Sequence, residues 1–325
     1  MPRAIDIAQG NALLRSRDAM LGTRTERELR AMVTAGAIIR VHRGWYVDGE
    51  DWRGLWNEGR HLVRVLAVAR AATGAGPVFC GVSAAVVWGL PLYRLAPKRV
   101  HVVIVGARHG RTRGSVVHHS VSVLPGDIVE VDGIRCTSLD RTVLDLACSL
   151  GPEAALSSAD AALRRIAVRG QRQDEELAHA WRARIGERAA TLHVPGARRA
   201  RELLAFADGR AQLPGESVSR LHLRRLGFTD IGLQARVVGP AGEEYWLDFA
   251  FGGARAFGEF DGKAKYLSEE LRGERTAEMV VLEEKAREDA VRGVTEWRVV
   301  RWGWDDIASA EALGARLAAF GVRPT

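Results

Sequence analysis

The chain has 325 residues, of which 47% are hydrophobic and 27% are charged, and this average composition excludes wholesale disorder and fibrous repeats. No uncharged run reaches the roughly 18 residues that a membrane span needs, so we expect no membrane partner. The formal net charge of +7 is +10 over residues 1–212 and −3 over residues 213–325, which predicts that the two parts bind different partners.

Residues 1–52 have the pattern of helices followed by a hairpin. Apolar residues near the N-terminus predict a first helix, and Thr23 or Thr25 is expected to cap a second one. Residues 38–47 read as two short strands that turn near Arg43 and Gly44. This order is that of a winged helix-turn-helix, which places one helix in the DNA major groove and the hairpin on the backbone.

Arginines are placed on both parts of this predicted winged helix. Three recur at intervals of three on the second helix, and two lie on the hairpin, so the candidate DNA-binding residues are Arg24, Arg27, Arg30, Arg40 and Arg43. The alternative is an ordinary solvated helix face, with salt bridges from these arginines to Glu26 and Glu28.

Residues 53–165 predict a basic α/β domain, and residues 166–212 a helical connector without a motif. Helices are expected at 62–72 and 81–90, a strand at 99–105 with 115–123 as its partner, and a further helix capped by Thr137 or Ser138. Six lysines and arginines and no acid lie between Arg94 and His119. This patch could contact phosphates, or it could keep an edge strand soluble.

Several motifs in the first 165 residues resemble those of the AbiEi-type abortive-infection antitoxins. They are GWYV at 44–47, SAAVVWGLP at 83–91, VHVVI at 100–104 and GIRCTSLDRTVLDLA at 133–147. The resemblance implies an N-terminal winged helix that acts as a DNA-binding repressor or antitoxin. It also implies a cognate toxin or defence partner.

Residues 213–325 predict the element order α-β-β-β-α-β-α. The expected elements are a helix at 214–226, strands at 228–238, 243–251 and 255–262, a long helix at 268–292, a strand at 296–302 and a helix from 304 to 319. This is the core order of the PD-(D/E)XK nucleases. The complete chain is therefore predicted to be an α/β multidomain protein that ends in such a core.

Acidic residues lie on two of these predicted strands. Asp248 is near the end of one strand, and Glu259, Asp261 and Lys263 alternate along the next, so they share a face if that strand continues to 263. Glu216, at the start of the preceding helix, can reach the same pocket. Carboxylate oxygens suit Mg²⁺ or Mn²⁺, which can polarise a phosphoryl oxygen and activate water, and a lysine beside them can position or deprotonate that water.

The last 110 residues resemble the Vsr-like endonuclease domains of the PD-(D/E)XK superfamily. The motifs that carry the resemblance are Leu247-Asp248-Phe249, Glu259-Phe260-Asp261-Gly262 and Arg298-Val299-Val300-Arg301-Trp302. The resemblance implies that Asp248 and Glu259 bind the metal and that Asp261 is a further acidic site residue. Many relatives have a histidine soon after the second motif, where this chain has Ala264-Lys265-Tyr266. The signature therefore has two registers, Glu259-x-Asp261 and Asp261-x-Lys263.

These patterns favour a DNA-binding protein with a metal-dependent endonuclease domain, acting in phage defence or DNA repair. The alternative is a non-enzymatic AbiEi-type antitoxin or repressor that retains a degenerate nuclease scaffold, since acids on strands are often surface charges. Three scattered cysteines without a CxxC pair favour a reducing, cytoplasmic location.

Overall fold

The computed structural model describes residues 4–104, 111–120, 122–262 and 277–324. In this part of the chain, helices and four sheets divide between two compact units, which confirms an α/β multidomain protein. Unit 1 consists of residues 1–158 and 187–202, and unit 2 of residues 159–186 and 203–325. None of the described helices has both the length and the apolar character required to cross a bilayer. The finer boundaries at 52, 165 and 212 stay predictions.

Unit 1 begins with short helices and a small three-stranded sheet, in the strand order β1-β3-β2. The elements are α1 (Ile7–Leu13), β1 (Arg15–Ser16), α2 (Arg17–Leu21), α3 (Glu26–Thr34), β2 (Ile38–His42), β3 (Trp45–Asp48) and α4 (Gly49–Arg53). Thr25 caps α3 by accepting a hydrogen bond from the Glu28 backbone N–H, while the Glu28 side chain accepts one from the Thr25 N–H. This capping box confirms the predicted start of the second helix.

The rest of unit 1 is built around a six-stranded sheet with the order β6-β7-β5-β4-β9-β8. Its elements are α5 (Asn57–Ala71), β4 (Val78–Phe79), α6 (Gly81–Val87), β5 (Val100–Val103), β6 (Arg111–Arg113), β7 (Val116–His119), β8 (Ile128–Val131), β9 (Ile134–Thr137) and α7 (Leu139–Ser149). β7 pairs with β5 as predicted, but in parallel, and β6 takes the antiparallel edge beside it. Ser138 caps α7 by accepting from the Arg141 N–H.

Residues 152–205 supply three helices and a two-stranded hairpin. They are α8 (Pro152–Ala167), β10 (Val168–Arg169), β11 (Arg172–Gln173), α9 (Glu175–Ala190) and α10 (Ala197–Ala205). The predicted helical connector therefore also contains an antiparallel β-hairpin, whose turn carries Gln171.

The main sheet of unit 2 has four strands in the order β12-β13-β14-β15. The elements that follow α10 are α11 (Pro214–Arg225), β12 (Gly232–Val238), β13 (Glu244–Phe251), β14 (Ala256–Phe260), α12 (Ala277–Thr295), β15 (Arg298–Trp302) and α13 (Ala310–Ala319). The first three strands are antiparallel, and β15 lies parallel to β14. The described elements after α10 thus follow the predicted order.

Buried aromatic and aliphatic side chains hold this sheet against its helices. Phe249 and Trp302 are almost fully buried and pack at a ring-centroid distance of 5.2 Å. The Trp302 indole N–H donates to Ser219 on α11 at 2.8 Å, which ties that helix to the sheet. The predicted start of the last helix at residue 304 is wrong: α13 begins at Ala310, because Ser309 caps it by accepting from the Ala312 N–H.

Candidate active site and nucleic-acid interface

Unit 2 contains a polar cavity of about 260 Å³ beside the ends of β13 and β14. Its wall includes four carboxylates, two guanidinium groups and three side-chain amides. The residues are Gln171, Gln212, Gln234, Trp246, Asp248, Glu259, Phe260, Asp261, Glu284, Arg287 and Arg301. Three of the predicted site residues, Asp248, Glu259 and Asp261, therefore line one cavity.

Strand pairing explains why these three residues meet. The antiparallel register places Phe249 opposite Gly258, so Asp248 lies beside the end of β14. The Phe260 backbone N–H donates to Asp248 Oδ2 at 2.9 Å. β14 ends at Phe260, although the Asp261 N–H still donates to the Trp302 carbonyl at 2.8 Å. The predicted continuous strand through Lys263 is thus not seen as far as Gly262, and Lys263 itself lies outside the described residues.

Asp261 holds an oxygen whose surroundings are unusual. Its Oδ1 atom is buried and has no hydrogen-bond partner within the described ranges. A buried polar atom without a partner is destabilising, and in native proteins it often marks an ion, a water or a catalytic role. The oxygen faces a cavity that other carboxylates share, so a cation is the species that it suits.

Glu216 reaches the site through a glutamine instead of lining the cavity itself. It lies in the first turn of α11, where Pro214 begins the helix, and it is buried. Its Oε2 atom accepts from the Gln212 backbone N–H at 2.9 Å and from the Gln234 amide at 3.4 Å. The Gln234 amide also lies 3.3 Å from Asp248 Oδ1, so it bridges the two carboxylates.

Gln234 is the site residue that sequence reasoning missed. It has φ of 48°, a left-handed conformation that is rare for a non-glycine residue in a strand. The pairing of β12 with β13 passes from Leu233 to Ala235 without it, as at a bulge, and its side chain is buried. Strained backbone of this kind gathers at functional sites. A single glutamine in a strand sequence carries no signal of this conformation.

Glu259 is held by two arginines. Arg301 lies directly opposite it on the parallel strand β15, and its Nε donates to Glu259 Oε2 at 3.1 Å. Arg287 on α12 donates to Glu259 Oε1 at 2.7 Å. Glu284 accepts from both arginines, at 2.6 Å from Arg301 and 3.0 Å from Arg287. Burial disfavours the charged form of Arg287, but the two glutamates outweigh burial and raise the pKa of its guanidinium.

These contacts decide how the predicted metal ligands fit a divalent cation. The donors Asp248 and Asp261 are hard oxygens, and the unpartnered Asp261 oxygen fits Mg²⁺ or Mn²⁺. Glu259 differs, because each of its oxygens accepts from a guanidinium. Among the described residues no group of three His, Cys, Asp or Glu side chains is placed to hold a metal. The three predicted ligands share a cavity but do not form a ready-made cage.

Unit 1 contains an open concavity of about 1090 Å³ between α3 and the β2–β3 hairpin. Three of the predicted DNA-binding residues, Arg30, Arg40 and Arg43, line it, and all three are exposed. Arg27 is exposed on α3 outside this lining. The prediction that Arg24 shares the helix face is wrong, because Thr25 caps α3 and Arg24 precedes the helix.

The glutamates near these arginines have other partners. Glu26 forms an ion pair with Arg17 on α2. The Glu28 carboxylate accepts from the backbone and hydroxyl of Thr25. The predicted alternative, in which Glu26 and Glu28 neutralise the arginines of α3, is therefore not what these two side chains do.

Sequence comparison places the chain beside mycobacterial proteins. No protein-family model matches it. It is 30% identical over 262 residues to uncharacterized protein Rv2248 of Mycobacterium tuberculosis strain H37Rv and, equally, to uncharacterized protein MT2308 of strain CDC 1551. Each match covers 78% of this chain and 87% of the relative. The chain therefore belongs to the family of these mycobacterial proteins.

Proposed function

We propose that the chain is a DNA-binding protein whose unit 2 is a metal-dependent endonuclease of the PD-(D/E)XK type. The observation that carries the proposal is the convergence of Asp248, Glu259 and Asp261 on one cavity, with a buried Asp261 oxygen that has no partner in the described residues. Gathering carboxylates in a partly buried cavity is unfavourable unless a cation offsets their charge.

The topology of unit 2 supports the same proposal. The sequence α11-β12-β13-β14-α12-β15-α13 has the α-β-β-β-α-β-α order of these nucleases, and β15 is parallel to β14 after the α12 crossover. The motifs that resemble Vsr-like domains lie on β13, β14 and β15, the three strands that border the cavity. A shared fold alone does not establish activity, so the site residues carry the argument.

Each site residue has a role in this proposal. Asp248 and Asp261 would hold Mg²⁺ or Mn²⁺, with Glu259 as the third ligand. The bound cation would polarise a phosphodiester and lower the pKa of a water. Gln234 orients Asp248 and Glu216 by donating its amide to both. Lys263 remains the proposed basic group that positions or deprotonates the attacking water.

DNA binding is proposed for unit 1 on the basis of its arginine-lined concavity. Helix α3 followed by the β2–β3 hairpin has the order of a winged helix, and Arg30, Arg40 and Arg43 lie where a phosphate backbone would contact both parts. Arg24 and Arg27 are exposed beside the same helix and would add phosphate contacts. The excess of basic residues in the first 212 residues agrees with this role.

A second function has one specific observation in its favour. Glu259 uses both oxygens on Arg287 and Arg301, as a carboxylate in a purely structural ion-pair network would. In that case the chain is a non-enzymatic AbiEi-type antitoxin or repressor with a degenerate nuclease scaffold. Its partners would then be operator DNA and a cognate toxin.

Cleavage of DNA by the full chain separates the two functions. Supercoiled plasmid and single-stranded DNA are incubated with the protein and Mg²⁺, Mn²⁺ or a chelator. The nuclease proposal predicts metal-dependent nicking that Asp248→Ala, Asp261→Asn and Lys263→Ala abolish. The matched control is Asp230→Asn, an exposed carboxylate of the same unit, which should leave nicking unchanged. DNA binding without nicking in either metal would establish the repressor function instead.

A further inference from the structure

Arg287 and Arg301 combine features of a ligand-binding pair. Both line the cavity, and their side chains are 25% and 29% exposed, so each can contact a molecule that enters from solvent. A guanidinium presents a planar fork of donors that fits a phosphate as well as a carboxylate. The pair therefore already offers phosphate-type donors beside the proposed metal ligands.

The two arginines would keep other contacts if they released Glu259. Arg287 also donates to Glu284 and to the Trp246 carbonyl, the latter at 2.8 Å. Arg301 pairs with Glu284 and, at 3.2 Å, with Glu288. Leaving Glu259 would thus not strand either guanidinium without a partner, which lowers the cost of an exchange.

Glu259, by contrast, is the least exposed member of the cluster, at 13%, and it shares the cavity with Asp248 and Asp261. Without the arginines it would face these carboxylates with no compensating charge, so a cation would become its natural partner. The arginines and a divalent cation therefore compete for the same carboxylate.

We infer that Arg287 and Arg301 bind the phosphate of the nucleic-acid substrate, and that their transfer from Glu259 to this phosphate frees Glu259 to bind the metal. The inference rests on the proposed function and adds a rule of assembly to it: metal and phosphate bind cooperatively. By thermodynamic linkage, a phosphate that draws the arginines away must tighten metal binding by the same factor by which the metal tightens phosphate binding.

The test measures Mn²⁺ binding to the full chain by electron paramagnetic resonance of free Mn²⁺. Titrations are run with and without thymidine 5′-monophosphate, which carries a phosphate but no phosphodiester to hydrolyse, and Mn²⁺ bound by the nucleotide alone is subtracted. In the wild-type protein the nucleotide should tighten Mn²⁺ binding roughly tenfold, a typical coupling between two sites.

Substitutions assign this coupling to the arginines. In Arg301→Gln, and separately in Arg287→Gln, Mn²⁺ should bind more tightly than to wild type in the absence of nucleotide, and the nucleotide should add little. Arg301→Lys, which keeps the charge but not the fork, should restore part of the coupling. The matched control is Arg292→Gln on the same helix, where the arginine is 58% exposed and lies 3.9 Å from Glu288. Circular dichroism verifies that each variant is folded.

The outcomes separate this inference from the proposed function. Mn²⁺ binding with unchanged coupling in both glutamine variants would refute the phosphate role of the arginines and leave the nuclease proposal standing. Weaker Mn²⁺ binding by the glutamine variants without nucleotide would also refute it, since a purely structural pair would behave in that way. Absence of Mn²⁺ binding to every folded protein, with and without nucleotide, would overturn both.

Discussion

Replacing Asp261 with asparagine should stabilise the metal-free protein. The side chain places one buried oxygen where no described group donates to it, and it shares its cavity with Asp248, Glu259 and Glu284. An unsatisfied buried polar atom costs about 1–3 kcal/mol, and more when it is charged. Asparagine keeps the shape and removes the charge, so we expect it to recover about 1 kcal/mol of this cost.

The same substitution should abolish the stabilisation of unit 2 by Mg²⁺. A ligand that binds only the folded state at ten times its dissociation constant stabilises it by about 1.4 kcal/mol. Wild type should therefore gain this amount in Mg²⁺, whereas Asp261→Asn should gain almost nothing. At this chain size a change of 1 kcal/mol shifts the melting temperature by about 2–4 °C.

The assay is urea unfolding followed by tryptophan fluorescence, with and without Mg²⁺. Trp246, Trp302 and Trp304 report on unit 2, and Asp230→Asn serves as the matched control because its carboxylate is exposed. If Asp261→Asn is less stable than wild type by more than 1 kcal/mol while Mg²⁺ stabilises both proteins equally, Asp261 is a structural residue. The reasoning on its unpartnered oxygen would then be refuted.

Three further predictions concern other parts of the chain. Changing Arg30, Arg40 and Arg43 together to glutamine should weaken DNA binding and reduce the dependence of log Kd on log salt by up to about three contacts, as filter binding at several salt concentrations would show; an unchanged slope would contradict the arginine-lined interface. Gln234→Gly should be more stable than Gln234→Ala by about 1 kcal/mol in urea unfolding, the reverse of the usual order in a strand, because only glycine adopts its φ of 48° without strain; the usual order would contradict that conformation. Burial lowers the pKa of His61 to about 3, so its neutral ring stabilises unit 1 above pH 6.5, and this stability should be lost at up to about 1.4 kcal/mol per pH unit as the pH falls from 6.5 towards 3; His61→Gln should remove that slope in unfolding measured between pH 4 and 7.

Local chemistry made much of the fold predictable. The threonine at position 25 and the serine at 138 cap α3 and α7 with their own side chains, and such caps depend only on residues a few positions away. The start of α13 was misplaced, because Trp304, Asp305 and Asp306 resemble a helix start although Ser309 provides the cap. The parallel pairing of β5 with β7 was missed, since strand direction depends on distant partners.

The acids of the candidate site could be found from the sequence, but their partners could not. Asp248 and Glu259 stand in strand patterns where a carboxylate is conspicuous. Arg301 meets Glu259 only because β15 pairs with β14 in a particular parallel register, 42 residues along the chain. Gln234 enters the site through a backbone conformation that its residue type does not favour. Contacts set by long-range register and strain have no local signature.

Anomalous diffraction from crystals of the full chain grown with Mn²⁺ tests the central claim most directly. The account predicts a peak in the cavity of unit 2, within coordinating distance of the Asp248 and Asp261 carboxylates, that disappears in crystals of Asp261→Asn. A cavity without a peak, in which Asp261 Oδ1 accepts a hydrogen bond from the protein and Glu259 stays between Arg287 and Arg301, would contradict it.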